Sequence, residues 1–215
     1  NGMSVHDGPE YAPRSGHERS QRFYGKAVML TKNKIKQSFA TAAPAYDSVA
    51  LLQRNVGRAL LQCAEVSGEI DTVVDLGCGT GFLVHELLGQ NAFNTRQIIA
   101  IDIAQAMLQT ARNKLQDCPS IAYLCADAEF LPLQPHTVDL MLSNLAFQWC
   151  DLAKVFSDIK RILKPEGHFC FTTFGQLTLH ELKTAWQVVD DHVHVNTFLN
   201  ESQITNFLQQ AGFKA

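Results

Sequence analysis

Between Val73 and Leu88 the sequence reads "VVDLGCGTGFLVHELL", which is an apolar pair, an acid, three glycines and then a helical pattern. An apolar strand that breaks on glycines into a helix is a strand-to-helix turn of the kind that cradles a nucleotide-like ligand. The backbone N–H groups at the start of the helix face that ligand. Asp75 stands just before the glycines, and a fixed negative charge there weakens the hold on a phosphate. A cationic ligand suits the turn better.

The same alternation continues along the chain. Strand-like runs at 72–76, 97–102, 121–125, 137–143 and 167–174 are separated by helical patterns that reach Leu88, about Leu115 and Leu163. Apolar runs joined by crossover helices predict an α/β fold, a Rossmann-like, mostly parallel sheet with helices on both faces. Two helices precede the first strand. One carries the stripe Ile35, Phe39, Ala42 and Tyr46, and the other Val49, Leu52, Val56, Leu60 and Cys63. After the fifth strand an amphipathic helix places Leu179, Leu182, Trp186 and Val189 on one face, and "ESQITNFLQQAGF" forms a last helix.

A chain of 215 residues with 46% hydrophobic composition has material for one sizeable core. Residues 1–28 are polar, broken by Pro9 and Pro13, and are expected to be a flexible or artificially appended tail; Met29 is a candidate start, with Met3 the competing one. Residues 29–215 are then one domain, comprising N-terminal helices (29–69), a ligand-binding core (70–174) and a substrate-side cover (175–200). The sequence stops at Ala215, where another strand is expected, so the terminal strands of such a sheet are expected to be missing.

Charge and composition narrow the function. A net charge of −3 gives no general attraction to nucleic acid or anionic lipid. No apolar run reaches the roughly 18 to 20 residues of a membrane span, and a soluble, cytoplasmic protein is expected. The six cysteines are scattered without a C-x-x-C pair and read as small buried residues of a reduced compartment. Among the histidines only His192 and His194 are close, which is poor metal-ligand material, and no metal is expected.

Three ligands compete for the glycine turn. A P-loop closes on Gly-Lys-Ser/Thr, whereas this turn runs "GTGFL". A dinucleotide fingerprint ends on glycine or alanine, and counting from Gly77 and Gly79 that place belongs to Phe82. S-adenosylmethionine remains, a cation at both its ammonium and its sulfonium. Asp75 suits the ammonium, while Gly77 and Gly79 let the backbone approach the ligand. Asp102, with Ile103 beside it, ends the second strand about 20 residues further on, where an acid accepts from ribose hydroxyls. Met107 follows as a cover for one adenine face. Asp127 and Ala128 of "CADAEFLPL" lie near the adenine edge, and Asn144 closes the fourth strand in "SNLAFQW". Singly, each acid could be a helix cap and Met107 a core residue; their shared order and spacing make the pattern.

At these residues the chain resembles the class I S-adenosylmethionine-dependent methyltransferases, from about 70 to 174. "KIKQSFATAAPAYD", "LLQRNVGRALL", "SNLAFQWC" and "FTTFGQLTLHELKTAWQVVDDHVHVNTFL" also resemble the malonyl-acyl carrier protein O-methyltransferases of biotin synthesis. The resemblance implies methyl esterification of the free carboxylate of a malonyl thioester, with acyl carrier protein as partner and S-adenosylhomocysteine as product. A carboxylate is ionised at neutral pH, so the reaction needs alignment and dryness and no general base. Tyr46 and Gln148 are candidates to orient it, with Trp149 and Phe174 as aromatic walls. Arg54 and Arg58 share a helix face, with Lys32, Lys34 and Lys36 upstream, and form the candidate docking surface for an acidic carrier; the alternative is a solvated helix face. Trp186 reads as a packing anchor. The rival functions are methylation of another small acid or a quinone-like ring, and a non-catalytic cofactor-binding module.

Overall fold

The computed structural model describes residues 32–64, 70–90, 95–116, 118–190, 194 and 197–214. The expected tail and His192 lie outside the described residues. The chain divides into two compact units, residues 1–34 and 35–215. Of the first, the helical residues 32–34 are described.

In the second unit, α1 (residues 35–42), α2 (Tyr46–Val49) and α3 (Leu51–Cys63) precede the sheet. Then follow β1 (Thr72–Leu76), α4 (Phe82–Gln90), β2 (Gln97–Asp102), α5 (Gln105–Leu115), β3 (Ile121–Cys125) and β4 (Val138–Asn144). A 3-10 turn (Phe147–Trp149), α6 (Leu152–Ile162), β5 (Leu163–Thr172), α7 (His180–Gln187) and α8 (Glu201–Gln210) complete the order. The strands lie β3-β2-β1-β4-β5 and every pairing is parallel. The order reverses at β1 and β4, and open α/β sheets bind ligands beyond the carboxyl ends of the strands at such a point.

Both faces are covered, which is why the strands read as unbroken apolar runs. Val73, Ile98, Ala100, Leu140 and Leu142 face Leu60 of α3, Leu83, Val84 and Leu87 of α4 and Leu108 of α5. Val74, Leu76, Ile101 and Met141 point the other way, into Val155, Phe156, Ile159 and Ile162 of α6, where α8 adds Ile204, Phe207 and Leu208. The alternation along β1 leaves Asp75 as the single acid in an otherwise apolar strand.

Several expectations need correction. β5 begins at Leu163 rather than Gly167, because "KPEG" is an irregularity inside the strand: Val138 pairs with Leu163, and the next partner, Leu140, pairs with His168. A Cβ at Gly167 would lie 3.0 Å from the carbonyl oxygens of Lys164 and Val138, so the bulge is shaped around a glycine. Tyr46 is not on the first helix, which has ended at residue 42; it opens α2. On α3 the inward residues are Gly57 and Leu60, while Leu52 is 56% exposed; Val49 ends α2 instead and is 76% exposed. On α7 no residue is buried, and Leu179, Leu182, Trp186 and Val189 are exposed. Of the cysteines only Cys78 is buried; Cys63 and Cys125 are exposed, and all six are free thiols.

Candidate functional site

The carboxyl ends of β1, β2, β3 and β4 open onto one region. The β1–α4 turn is made by Gly77, Gly79 and Gly81, at φ 77°, 53° and 82°, where an L side chain is strained. Their surroundings differ. A Cβ at Gly77 would come within 2.5 Å of Ala146 Cβ, and one at Gly81 within 3.0 Å of Ala111 and Leu115 on α5. At Gly79 nothing lies within 4 Å, so the turn presents open space there. Gly81, which the dinucleotide count passed over, is therefore the residue that lets the turn pack on α5.

Asp75 is 1% exposed, and neither carboxylate oxygen has a hydrogen-bond partner among the described residues. Burial, and secondarily the charge of Asp102, push its pKa up to about 8. An unpartnered buried acid is costly in the folded chain, and this one lies beside a glycine turn with room at Gly79. The thiol of Cys78 is raised for the same reasons: burial first, then Asp75 and Asp102. These groups fit a ligand that brings positive charge and hydrogen-bond donors, and fit an anionic nucleotide poorly. A sulfonium ligand with an ammonium group meets that requirement.

Asp102 is not the lightly engaged carboxylate of a strand end. Oδ2 accepts the Gly79 N–H at 2.9 Å and Oδ1 the Ala104 N–H at 2.8 Å. It ties the glycine turn to the end of β2, and its pKa is raised because burial outweighs these two bonds and a third from Ile103. Each oxygen keeps a lone pair for a hydroxyl. Met107 is 1% exposed, packed with Ala43 and Ala104 beneath Phe39 and Tyr46, so it is core in this structure rather than an open platform. Asp127 folds back to accept the Glu129 N–H at 3.0 Å, and Ala128 packs at the edge of the α6-side core. Asn144 is braced at both ends: Nδ2 donates to the Gln53 carbonyl at 2.9 Å and Oδ1 accepts from Thr172 Oγ1 at 2.7 Å.

Of the expected aromatic set the structure brings part together. Phe39 stands edge-on to both Tyr46, with ring centroids 6.4 Å apart, and Trp149, at 6.2 Å. Phe174 pairs instead with Phe198, at 5.2 Å. Tyr46 feels Asp102, whose charge adds to burial in raising the phenol pKa. Gln148 donates Nε2 to the Leu145 carbonyl at 2.6 Å, and its Oε1 is buried without a partner among the described residues. Leu145 takes a left-handed conformation, φ 51°, at the end of β4, a strain that marks functional turns. Sequence reading missed Phe39 and Leu145: Phe39 looked like one more residue of a helical stripe, and no local signal marks a leucine at positive φ.

The basic face is partly committed. Arg54 Nη1 donates to the Asp47 carbonyl at 2.8 Å. Arg58 is half-exposed, 3.4 Å from Glu86 and over the Phe82 ring at 5.3 Å. No group of three or more His, Cys, Asp or Glu among the described residues could hold a metal ion. No described helix is long and apolar enough to cross a membrane.

The family described as "Methyltransferase domain" matches residues 74–171. The chain is 41% identical over 184 residues to malonyl-[acyl-carrier protein] O-methyltransferase of Methylococcus capsulatus, covering 85% of this chain and 66% of that one. It is 42% identical over 197 residues to the biotin biosynthesis bifunctional protein BioHC of Cellvibrio japonicus, covering 90% and 38%. The chain thus spans less than two thirds of either relative. Among solved structures, the Haloferax volcanii Trm112 activator complexed with a methyltransferase gives a TM-score of 0.67 at 24% identity, covering 81% of this chain and 75% of that one. Haemonchus contortus phosphoethanolamine N-methyltransferase 2 with S-adenosyl-L-methionine gives 0.59 at 24%, covering 74% and 36%. Below 25% identity these two bear on the fold alone.

Proposed function

We propose that this chain is a class I methyltransferase that esterifies the free carboxylate of malonyl-acyl carrier protein with a methyl group from S-adenosylmethionine, a reading supported by its match to the methyltransferase-domain family and its similarity to malonyl-[acyl-carrier protein] O-methyltransferases. The observation that carries the cofactor half of this reading is Asp75, a sealed carboxylate with two unpartnered oxygens beside a turn open at Gly79. The acceptor half rests on the similarity to malonyl-[acyl-carrier protein] O-methyltransferases.

In this reading Asp75 holds the ammonium, Gly77 and Gly79 give the backbone its close approach, and Asp102 and Ile103 meet the ribose. Asp127 and Ala128 meet the adenine edge, while Met107 stays in the core beneath Phe39 and Tyr46. Asn144 braces α3, β4 and β5 around the site. The cofactor supplies a methyl already activated on sulfonium. Tyr46 flanks the acceptor side, where a tyrosine kept protonated by burial donates to a carboxylate; Gln148, with Nε2 committed to the Leu145 carbonyl, presents only its acceptor oxygen and does not itself bond the carboxylate. Phe39 and Trp149 exclude water, which strengthens every polar contact inside. The described residues of 175–190 and 197–200, with Phe174 against Phe198, serve as the substrate-side cover, and Arg58 as the leading docking residue for the carrier.

Calorimetric titration with S-adenosylhomocysteine tests the cofactor half. At pH 7 an acid with a pKa near 8 is mostly protonated, so seating an ammonium on Asp75 expels a proton. Affinity is expected to rise with pH up to about 8, with nearly one proton released near pH 7, measured across buffers of different ionisation enthalpy. Asp75→Asn abolishes the release. Binding by wild type without proton exchange removes Asp75 from the ammonium, and absence of binding removes the cofactor.

A further inference from the structure

Outside the contacts already described, one carboxylate joins three elements around the site. Asp47, the neighbour of Tyr46, accepts the Thr80 hydroxyl on Oδ1 at 2.6 Å and pairs through Oδ2 with the Lys114 ammonium. Lys114 also reaches the Thr80 carbonyl at 3.5 Å. Thr80 is buried between Gly79 and Gly81, and Lys114 is in the last turn of α5. Arg54 adds its bond to the Asp47 carbonyl from α3. The glycine turn, α5 and α3 therefore converge on one residue of α2.

That helix has little else to fix it. It is four residues long, has no side-chain cap and buries no residue, and a single helical turn does not hold in water without tertiary contacts. The apolar contact available is that of Phe39, Ala43 and Tyr46 with Met107. An apolar contact permits sliding; two charge-assisted bonds, one to Thr80 in the turn and one to Lys114 on α5, fix position and direction.

We propose that Asp47 is a positioning residue that latches the Tyr46-bearing α2 to the glycine turn, so that seating a ligand at the turn and placing Tyr46 over the acceptor are one event. The role in catalysis rests on the methyl-transfer reading above; the latch itself does not.

Hydrogen exchange of the ligand-free protein tests it. The reporters are the amides of residues 46–54, which include Ser48 N–H bonded to Ala45 and Arg54 N–H bonded to Ala50. Asp47→Ala and Thr80→Val are each expected to speed exchange there about tenfold, as loss of a hydrogen bond to a charged group implies, with amides of β1 and β4 unmoved. Asp47→Asn keeps an acceptor for Thr80 and loses the Lys114 pair, so it falls between. The double variant Asp47→Ala/Thr80→Val exchanges no faster than Asp47→Ala, since both cut the same contact. In turnover Asp47→Asn lowers kcat with an unshifted melting temperature, and Lys114→Met reproduces part of the loss. Unchanged exchange in both single variants, or a double variant showing the product of the two effects, overturns the latch. Because exchange is read without ligand, failure to bind S-adenosylhomocysteine would sink the methyl-transfer reading and leave this result standing.

Discussion

Asp75 occupies a sealed position in the sheet and finds no partner among the described residues, so the ligand-free fold holds it as a neutral acid whose charge only a ligand can use. Its folded pKa of about 8 lies above the ordinary carboxylate value, so between about pH 4 and pH 8 the native chain holds a proton that the unfolded chain has lost. The associated stability is full below the unfolded pKa and drains away as pH rises through the folded one, with a slope of at most about 1.4 kcal/mol per pH unit. Thermal melts of the ligand-free protein are therefore expected to fall across that window and flatten above it, and Asp75→Asn to remove most of the slope. Asp102, raised by burial, contributes in the same sense. Asp139, held down by its bond from Lys164 and the Thr72 N–H against some burial, acts in the opposite sense below the ordinary carboxylate range. A wild-type melt that is flat from pH 5 to 8 would contradict the assignment. The place of Asp75 was legible in the sequence, because an acid inside an apolar strand before three glycines has few uses. The bonds of Asp102 to Gly79 and Ala104 were not, and they change what its loss means: Asp102→Ala frees two backbone donors as well as any ribose contact.

The turn shows the same division at the scale of an element. "GCGTG" announces a strand-to-helix turn, yet the glycines differ in ways only packing reveals. Gly81→Ala drives a methyl into Ala111 and Leu115 at positive φ and is expected to cost about 1–3 kcal/mol of stability. Gly79→Ala meets empty space, so it should cost less on melting while blocking S-adenosylhomocysteine in titration; the reverse ranking would misplace the ligand. Strands were read within a few residues because both faces of a parallel sheet are buried and the runs are unbroken. Helix faces were read less well. The 3.6-residue period shows that an apolar stripe exists, but not that anything covers it, and the stripes of α7 and the start of α3 are open to solvent. The bulge at "KPEG" escaped for a related reason, since a turn motif inside a paired strand looks like the strand's beginning.

For the whole molecule, the described sheet and both its packed faces carry the proposed cofactor side, and the proposed carrier-docking surface rests on α3. Arg54 is occupied by the Asp47 carbonyl, so the informative change is at Arg58, whose exposed pairing with Glu86 is worth roughly 0–1 kcal/mol. Arg58→Glu is expected to raise KM for malonyl-carrier protein about three- to tenfold, with kcat and the reaction of malonyl-coenzyme A nearly unchanged, and the wild-type advantage should shrink with added salt. Equal losses on both acceptors would put Arg58 at the pocket, and no loss would return it to a solvated face. The acceptor is decided by intact mass spectrometry of carrier protein incubated with this chain and S-adenosylmethionine. Malonyl-carrier protein is expected to gain the mass of one methyl in place of a proton, while acetyl-carrier protein, which has no free carboxylate, stays unchanged. Malonyl-carrier protein left unmodified at saturating donor, or acetyl-carrier protein modified equally, would contradict carboxyl methylation of the malonyl group.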